Sequence, residues 1–270
     1  MPTPLFGLRN SVVRRAVLRL FRTVNPGDVA IRHHWVGKPL RLHSFKHKGY
    51  WWHGKRREQE TINRFHSLIR PGDVVIEVGG HIGYFTMIYG QLVGDNGLVC
   101  VFEPGENNLP YIRKNIAAFP NVKLVEKAAS DTEGAVTFWL EDLSGQNNSI
   151  IENYHLLDGN IQLSGLGEGV HKRAVTIPCT TLDAFSADPL LEGRPVNFIK
   201  IDVEGAELLV LKGASALLKS MRPVMMVEVT REAEEIFSLL TRLNYRLELA
   251  DGTPVASSEQ MNGNVFCFPA

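Results

Sequence analysis

The sequence predicts an α/β fold, in which a mostly parallel β-sheet carries helices on both faces. From Asp73 onward, short runs rich in Val, Ile and Leu alternate with helix-like segments, which is typical of such a sheet. The first apolar run ends in a glycine-rich turn that opens a helix. With 44% hydrophobic and 21% charged residues, the 270-residue chain has enough apolar material for a large core, and the composition excludes a disordered or fibrous protein. No window approaches the roughly 18 consecutive apolar residues that span a bilayer, which excludes an integral membrane protein.

Residues 1–69 are predicted to form a basic extension ahead of the sheet. An amphipathic helix at 5–24 is followed by a hairpin with strands at 29–36 and 40–45, and then by a helix at 57–69. The first 70 residues hold 15 Lys/Arg against 3 Asp/Glu, whereas residues 71–270 hold 14 against 26. This asymmetry indicates that the extension faces an anionic partner or packs against the acidic remainder, and the first helix either caps the domain or rests on a membrane surface.

The elements of residues 70–270 follow from apolar runs with the periods of strands and helices. Strands are predicted at 74–78, 98–102, 122–127, 135–140, 175–177, 196–201, 224–229 and 245–249, with a last edge strand at 265–268. Helices are predicted at 83–93, 107–119, 206–218 and 231–243, with a short helix from Thr181. Residues 141–172 interrupt this alternation and are rich in Gly, Asn and Ser, so we expect a polar insertion that covers the substrate.

The strongest local signal is the turn after the first strand of the sheet. Glu77 lies near the end of that strand, and glycines follow at positions 79, 80 and 83. This spacing does not match the G-x-G-x-x-G turn that cradles a nicotinamide cofactor. A carboxylate ahead of the glycines suits a cationic ligand, and S-adenosylmethionine carries both an ammonium and a sulfonium group. A glycine turn without any ligand is the alternative.

A second acidic residue strengthens the prediction of a cofactor site. Glu103 ends the next strand, 26 residues after Glu77. In βαβ units, an acid at this position accepts hydrogen bonds from ribose hydroxyls.

These motifs resemble the FkbM-type S-adenosylmethionine-dependent methyltransferases over roughly residues 58–250. The resemblance includes Pro71 through Gly79, Phe102-Glu103-Pro104 with Asn108 and Asn115, Ala128 through Asp131 with Gly134, Thr181-Leu182-Asp183 and, most specifically, Phe198 through Glu207. It implies a class I methyltransferase fold, a Rossmann-like sheet of seven strands with one antiparallel edge strand, and methyl transfer to hydroxyl groups.

The resemblance also implies which residues bind S-adenosylmethionine. Glu77, Gly79 and Gly83 are expected beside its methionine part, Glu103 at the ribose, and Ser130 and Asp131 near the adenine. The family usually has Asp where this chain has Glu77, and Ala-Asn where it has Gly80-His81, so His81 either faces the cofactor or fills the turn. The complete predicted set is Glu77, Gly79, Gly80, His81, Gly83, Glu103, Pro104, Asn108, Ser130 and Asp131.

Charged residues at the end of the fourth strand are the predicted catalytic groups. Lys200, Asp202 and Glu204 alternate along the chain and point to one side while it remains extended. An alcohol is a poor nucleophile, so we expect Asp202 to act as general base, with Lys200, Glu204 and Glu228 as helpers. Alternatively, Asp202 and Glu228 hold Mg²⁺, or the charges form a structural ion-pair cluster. The sequence does not decide the metal question.

The expected function is O-methyl transfer to a sugar, glycolipid or glycosylated secondary metabolite, in many cases an anionic one. Tyr50, Trp51 and Trp52 lie among basic residues, a combination suited to sugar rings that carry acidic groups. The alternatives are an RNA ribose 2′-O-methyltransferase and a non-catalytic S-adenosylmethionine-binding protein, although nucleic acid is the less favoured partner. Three cysteines without a CxxC pair favour a reducing, cytoplasmic setting, with peripheral membrane contact and homo-oligomerisation left open.

Overall fold

The computed structural model describes Val24 and residues 26–142, 144–152 and 171–270. The predicted basic helix, apart from Val24, lies outside the described residues, as does most of the polar insertion. The chain divides into two compact units, Met1–Gln59 and Glu60–Ala270. Among the described residues, no helix is both long enough and apolar enough to cross a bilayer.

The first unit contains the predicted hairpin and a short helix that the sequence did not predict. Strands β1 (Asp28–Arg32) and β2 (Pro39–His43) pair antiparallel, which confirms the hairpin. Helix α1 (Lys48–His53) carries the aromatic run, with Tyr50 buried and both tryptophans half-buried. The indole of Trp51 donates a hydrogen bond to the carbonyl oxygen of Ser44 at 2.7 Å. A 3₁₀ turn follows at Gly54–Arg56.

The second unit is built on a seven-stranded sheet, as predicted. Its strands, in spatial order, are β11 (Tyr245–Leu249), β12 (Gly263–Pro269), β10 (Val224–Val229), β9 (Phe198–Ile201), β3 (Val74–Val78), β4 (Leu98–Phe102) and β5 (Val122–Val125). Strands β10, β9, β3, β4 and β5 are parallel, and β12 is antiparallel to both of its neighbours.

The predicted position of the antiparallel strand at the edge is wrong. Strand β12 lies between β10 and β11, and β11 forms the edge. Val265, Phe266 and Cys267 are fully buried, because an inner strand has neighbours on both sides as well as covered faces.

Seven helices of the described chain belong to the second unit, and the first of them begins at its boundary with the first unit. They are α2 (Gln59–Leu68), α3 (Tyr84–Val93), α4 (Leu109–Ile116), α5 (Leu182–Phe185), α6 (Glu207–Lys212), α7 (Ser215–Ser220) and α8 (Ala233–Arg242), with 3₁₀ turns at Pro189–Leu191 and Ser258–Gln260.

The helix predicted at 206–218 is interrupted at Gly213. A Cβ atom on Gly213 would lie 2.0 Å from the carbonyl oxygen of Ser130, so only glycine permits this approach. The single helix is replaced by α6 and α7 because the loop that contains Ser130 occupies the space beside the break.

A smaller three-stranded sheet flanks the main one. It has the order β6 (Ala128–Ala129), β8 (Lys172–Thr180) and β7 (Gly134–Glu141), and its apolar face has its own cluster of buried side chains. The polar insertion joins β7 to β8, so it begins on this small sheet.

The register of the main sheet decides which side chains meet. Glu77 on β3 is paired with Lys200 on β9, and Met226 on β10 is paired with Lys200 on the other side. The carboxyl ends of these parallel strands share one edge, where open α/β sheets place their functional groups.

Candidate active site

A buried ammonium group connects the strand ends. Lys200 is only 1% exposed. Its Nζ donates a hydrogen bond to the carbonyl oxygen of Gly79 at 2.9 Å and lies 3.1 Å from Asp202 Oδ2 and 3.6 Å from Glu77 Oε1. The same Nζ lies 5.4 Å from the ring centroid of Phe85. Lys200 therefore ties the glycine turn to the end of β9 from inside the protein.

Lys200 is charged in this position. Burial lowers the pKa of its ammonium group, but Asp202 and Glu77 together raise that pKa by more, so the net shift is upward. Breaking such a buried pair by removing one partner is expensive, because the other charge then stays buried without compensation.

Glu77 is held in one orientation by two elements. Its carboxylate is 1% exposed, and Oε2 accepts a hydrogen bond of 2.6 Å from the hydroxyl of Thr86 on α3. Burial raises the pKa of Glu77 to about 7, although Lys200 and Thr86 oppose this shift. The residue that the family usually has as Asp is thus a fully enclosed Glu here.

Three carboxylates meet where β9 and β10 end. One oxygen from each of Asp202, Glu204 and Glu228 lies within 4.8 Å of the other two. Burial raises the pKa of Asp202, but Lys200 and a hydrogen bond with Glu228 lower that pKa by more, so the net shift is downward. Asp202 and burial raise the pKa of Glu228 well above its ordinary value. The two carboxyl groups therefore titrate as one pair, in which Asp202 is the more acidic member.

The loop after β9 is held from its far side by Glu207. The backbone N–H groups of Val203 and Gly205 donate to Glu207 Oε1 at 3.2 and 3.0 Å, and between them Glu204 has a left-handed φ of 56°. Burial raises the pKa of Glu207, which is 0% exposed, to about 7. Sequence reasoning did not select Glu207, although an acid in the first turn of a helix after a glycine is a recognisable signal.

The end of β4 forms a second carboxylate site. Glu103 Oε1 accepts hydrogen bonds from the Gly105 backbone at 2.8 Å and from Asn108 Nδ2 at 3.2 Å. Its Oε2 accepts a hydrogen bond from the backbone of His81 at 2.7 Å. Burial raises the pKa of Glu103 to about 7, against these three hydrogen bonds.

The glycine turn is packed directly against both strand ends. The N–H groups of Gly79 and Gly80 donate to the carbonyl oxygen of Phe102 at 3.1 and 3.0 Å. A Cβ atom on Gly79, where φ is +89°, would lie 1.8 Å from the carbonyl oxygen of Asp202. The backbone at Asp202, just after β9, therefore leaves no room for a side chain at Gly79.

His81 and Asn108 have roles that the sequence left open. Nε2 of His81 lies 3.1 Å from the carbonyl oxygen of Ser144 in the polar insertion. Nδ2 of Asn108 donates both to Glu103 and, at 2.9 Å, to the carbonyl oxygen of Gly145. Both residues link the cofactor motif to the start of the insertion.

The remaining predicted residues lie close to these elements in sequence. Gly83 precedes α3, and Pro104 is half-buried beside Glu103. Ser130 follows β6 of the small sheet, where its N–H donates to the carbonyl oxygen of Thr180 and its Oγ donates to Asp131 at 3.3 Å. The placement of Ser130 and Asp131 near an adenine stays a prediction.

The assembled residues fit a positively charged ligand. Five carboxyl groups surround this edge of the sheet, and burial raises the pKa of several of them, which indicates that added positive charge would be stabilised there. Within the described chain, Asn108 Oδ1 is a buried acceptor without a hydrogen-bond donor, and Glu77 Oε1 faces the ammonium of Lys200 at the long distance of 3.6 Å. A ligand with an ammonium group, a sulfonium group and hydroxyl donors satisfies both observations.

Comparison with known proteins gives a family match over most of the second unit. Residues 77–247 match the family model described as "Methyltransferase FkbM domain". The hexuronic acid methyltransferase AglP of Haloferax volcanii is 26% identical over 199 residues, which cover 72% of this chain and 72% of that protein.

Solved structures are similar at lower levels of identity. A methyltransferase FkbM from Methylobacillus flagellatus has 14% identity and a TM-score of 0.45, with 77% of this chain covered. The chain spans 50% of the length of that protein. An S-adenosylmethionine-dependent O-methyltransferase from Thermotoga maritima has 11% identity and a TM-score of 0.42, with 79% of this chain and 65% of that chain covered.

Proposed function

Because the chain belongs to the FkbM family of S-adenosylmethionine-dependent methyltransferases, we propose that it methylates a hydroxyl group on a sugar, glycolipid or glycosylated metabolite. One observation carries the choice of base. The side chain of Asp202 is 24% exposed, whereas its partner Lys200 is enclosed. Asp202, unlike Lys200, is therefore a group that an acceptor can reach at the end of β9.

The residues of the cofactor motif hold S-adenosylmethionine, which supplies an electrophilic methyl group on its sulfonium. Glu103 would accept hydrogen bonds from the ribose hydroxyls, and Glu77 would stabilise the positive charge of the methionine part. The absence of side chains at Gly79 and Gly80 lets the turn pack against the backbone of Asp202 and the side chains of Val101 and Ile112, and the turn leads into the N-terminus of α3, where N–H groups suit a ligand.

Asp202 takes the proton from the acceptor hydroxyl as the new O–CH₃ bond forms and the S–CH₃ bond breaks. Lys200 keeps Asp202 ionised and fixes the turn through Gly79, so the base stays in position. Glu228 supports Asp202 through their shared hydrogen bond, and Asp202 and burial together raise the pKa of Glu228. General-base catalysis of this kind contributes about 10²- to 10⁴-fold to the rate.

Transfer without a metal is the proposed route. The ammonium of Lys200 lies 3.1 Å from Asp202 Oδ2 and already neutralises the carboxylate that a cation would need. Mg²⁺ at Asp202 and Glu228 is the alternative. EDTA leaves turnover unchanged if the proposal is right and abolishes it if Mg²⁺ is required.

An anionic sugar is the proposed acceptor. The relative AglP is named for hexuronic acid, a sugar that carries a carboxylate. Residues 26–59 of this chain contain eight Lys/Arg against two Asp/Glu, together with the half-buried Trp51 and Trp52. Positive charge and aromatic faces together suit an acidic sugar ring.

Methyl transfer is tested with S-adenosylmethionine carrying a labelled methyl group. The acceptors are an oligosaccharide that contains glucuronic acid, the same oligosaccharide with glucose in its place, and total RNA. We expect label on the uronate-containing acceptor, with less on its neutral counterpart. Label on RNA would replace this proposal by ribose methylation, and cofactor binding without transfer to any acceptor or cell extract would favour a non-catalytic protein.

Cofactor binding is tested by calorimetry. Glu103→Ala is expected to weaken S-adenosylmethionine binding at least tenfold, about 1.4 kcal/mol, because the ribose loses its acceptor. Glu106→Ala is the matched control, since Glu106 is exposed and three residues away. Equal affinity in the two variants would contradict the ribose assignment.

A further inference from the structure

The first described part of the polar insertion, residues 144–149, is unusually buried for a polar segment. Asn147, Asn148 and Ser149 are 7%, 8% and 2% exposed, and Glu141 just before them is 2% exposed. Polar side chains are seldom enclosed unless their hydrogen bonds fix a particular arrangement. We call residues 144–149 the bridge segment.

One end of the bridge segment contacts the cofactor motif. The carbonyl oxygens of Ser144 and Gly145 meet His81 Nε2 at 3.1 Å and Asn108 Nδ2 at 2.9 Å. A Cβ atom on Gly145, where φ is +72°, would lie 2.2 Å from Asn108 Oδ1, so this approach also requires glycine. Asn108 holds Glu103 through the same amide nitrogen.

The other end of the bridge segment contacts the reacting edge of the sheet. The hydroxyl of Ser149 donates a hydrogen bond of 2.8 Å to the carbonyl oxygen of Glu204 and accepts one of 3.0 Å from the N–H of Ile151. The backbone of Ser149 is fixed by two hydrogen bonds with Trp139 on β7, at 2.7 and 3.1 Å. The backbone that carries the donor hydroxyl is therefore held in place by β7.

We propose that Ser149 is a positioning residue for methyl transfer, because its hydroxyl holds the loop after β9, which carries Asp202 and Glu204. Glu204 has a left-handed φ of 56°, a conformation that a non-glycine residue keeps only when its surroundings impose it. Glu207 fixes the N–H groups on either side of Glu204, and Ser149 fixes its carbonyl oxygen.

The contacts of the bridge segment also predict which property should change when the Ser149 hydroxyl is lost. The bridge segment is one short stretch of chain that contacts both the ribose carboxylate site, through Asn108, and the carboxylate cluster, through Ser149. Loss of the Ser149 hydroxyl should disturb only the second contact. Turnover should fall while cofactor affinity is kept, a separation that a general loss of stability does not produce.

The experiment compares Ser149→Ala with Ser149→Thr and with the control Ser186→Ala. Ser186 Oγ donates to the carbonyl oxygen of Asp183 at 2.6 Å, so the control also removes one hydroxyl–carbonyl hydrogen bond. Threonine keeps the hydroxyl, and the extended backbone of a β-bridge tolerates its branched side chain. In Ser149→Ala we expect kcat to fall about three- to tenfold, with the Kd for S-adenosylmethionine within twofold of wild type.

A second readout needs no acceptor and no turnover. Hydrogen exchange of the amides of residues 203–206 should be about three- to tenfold faster in Ser149→Ala, and within twofold of wild type in Ser149→Thr and Ser186→Ala. Unchanged exchange at 203–206 in Ser149→Ala overturns the proposal, as does an equal loss of kcat and cofactor affinity. The kinetic arm rests on the proposed function, but the exchange arm decides the positioning role even if wild-type protein methylates no tested acceptor.

Discussion

Charged residues that look equivalent in the sequence differ in their burial in the structure. Lys200, Asp202 and Glu204 alternate along the chain, and alternation predicts that they point to one side. Strand β9 ends at Ile201, and Glu204 turns into a left-handed conformation, so the alternation does not continue. Lys200 is enclosed, whereas the side chain of Asp202 is 24% exposed.

Asp202→Asn tests the base directly. We expect turnover to fall by about 10²- to 10⁴-fold, because an amide cannot take up the hydroxyl proton. The melting temperature should also fall, since Lys200 loses a charged partner in a buried site. Turnover assays at saturating cofactor, with the exposed Asp95→Asn as control, measure the effect. Retention of more than half of wild-type turnover would remove Asp202 from the mechanism.

Among the helices and strands, local sequence patterns predict where a strand lies better than they predict which strands pair with it. Strands β3, β4, β10 and β11 have the predicted bounds, because each is a short apolar run with polar residues or turns at its ends. The break at Gly213 and the inner place of β12 depend on residues far away in sequence, Ser130 and the edges of β10 and β11. Local periodicity carries no information about such contacts.

The same limit applies to the candidate site. Glu77, Glu103 and the residues of 200–204 could be predicted because acids at strand ends follow a simple rule. Ser149 and Asn148 belong to a stretch rich in Gly, Asn and Ser, which has the composition of an ordinary exposed loop. Their burial depends on contacts with Asn107 before α4 and with the loop after β9, so composition did not reveal it.

The turn after β3 provides a test of how closely two elements are packed. Gly79→Ala is expected to reduce both stability and cofactor affinity, because its Cβ would collide with the backbone of Asp202. Gly72→Ala is the matched control, since its φ is +92° and a Cβ there would meet nothing within 4 Å. Chemical denaturation and calorimetry of both variants separate the collision from backbone strain. Equal effects in the two variants would show that strain alone matters.

At the scale of the whole molecule, the fold keeps protons on carboxyl groups that lose them when it unfolds. Burial raises the pKa values of Glu77, Glu103 and Glu207 to about 7, from an ordinary value of 4.5. Their contribution to stability is fully present below the unfolded pKa and is lost as the pH rises through about 7. The acidic edge of the sheet therefore becomes a source of repulsion near neutral pH.

Thermal unfolding at several pH values tests this charge balance. Without ligand, we expect the melting temperature to fall between pH 5.5 and 7.5, as buried carboxyl groups ionise. S-adenosylmethionine should raise the melting temperature more at pH 7.5 than at pH 5.5, because its positive charges then meet ionised carboxylates. A ligand-induced shift that is the same at both pH values would contradict the assignment of these carboxyl groups to the cofactor site.

The place of β12 affects the order in which the sheet can be completed during synthesis. Strand β11 reaches the rest of the sheet only through β12, which follows it in the chain. Until residues 263–269 have left the ribosome, β10 and β11 both present open backbone edges to other nascent chains. Early termination or slow translation before residue 263 would therefore leave a product with two unpaired strand edges. Such a product is expected to aggregate rather than simply lose activity.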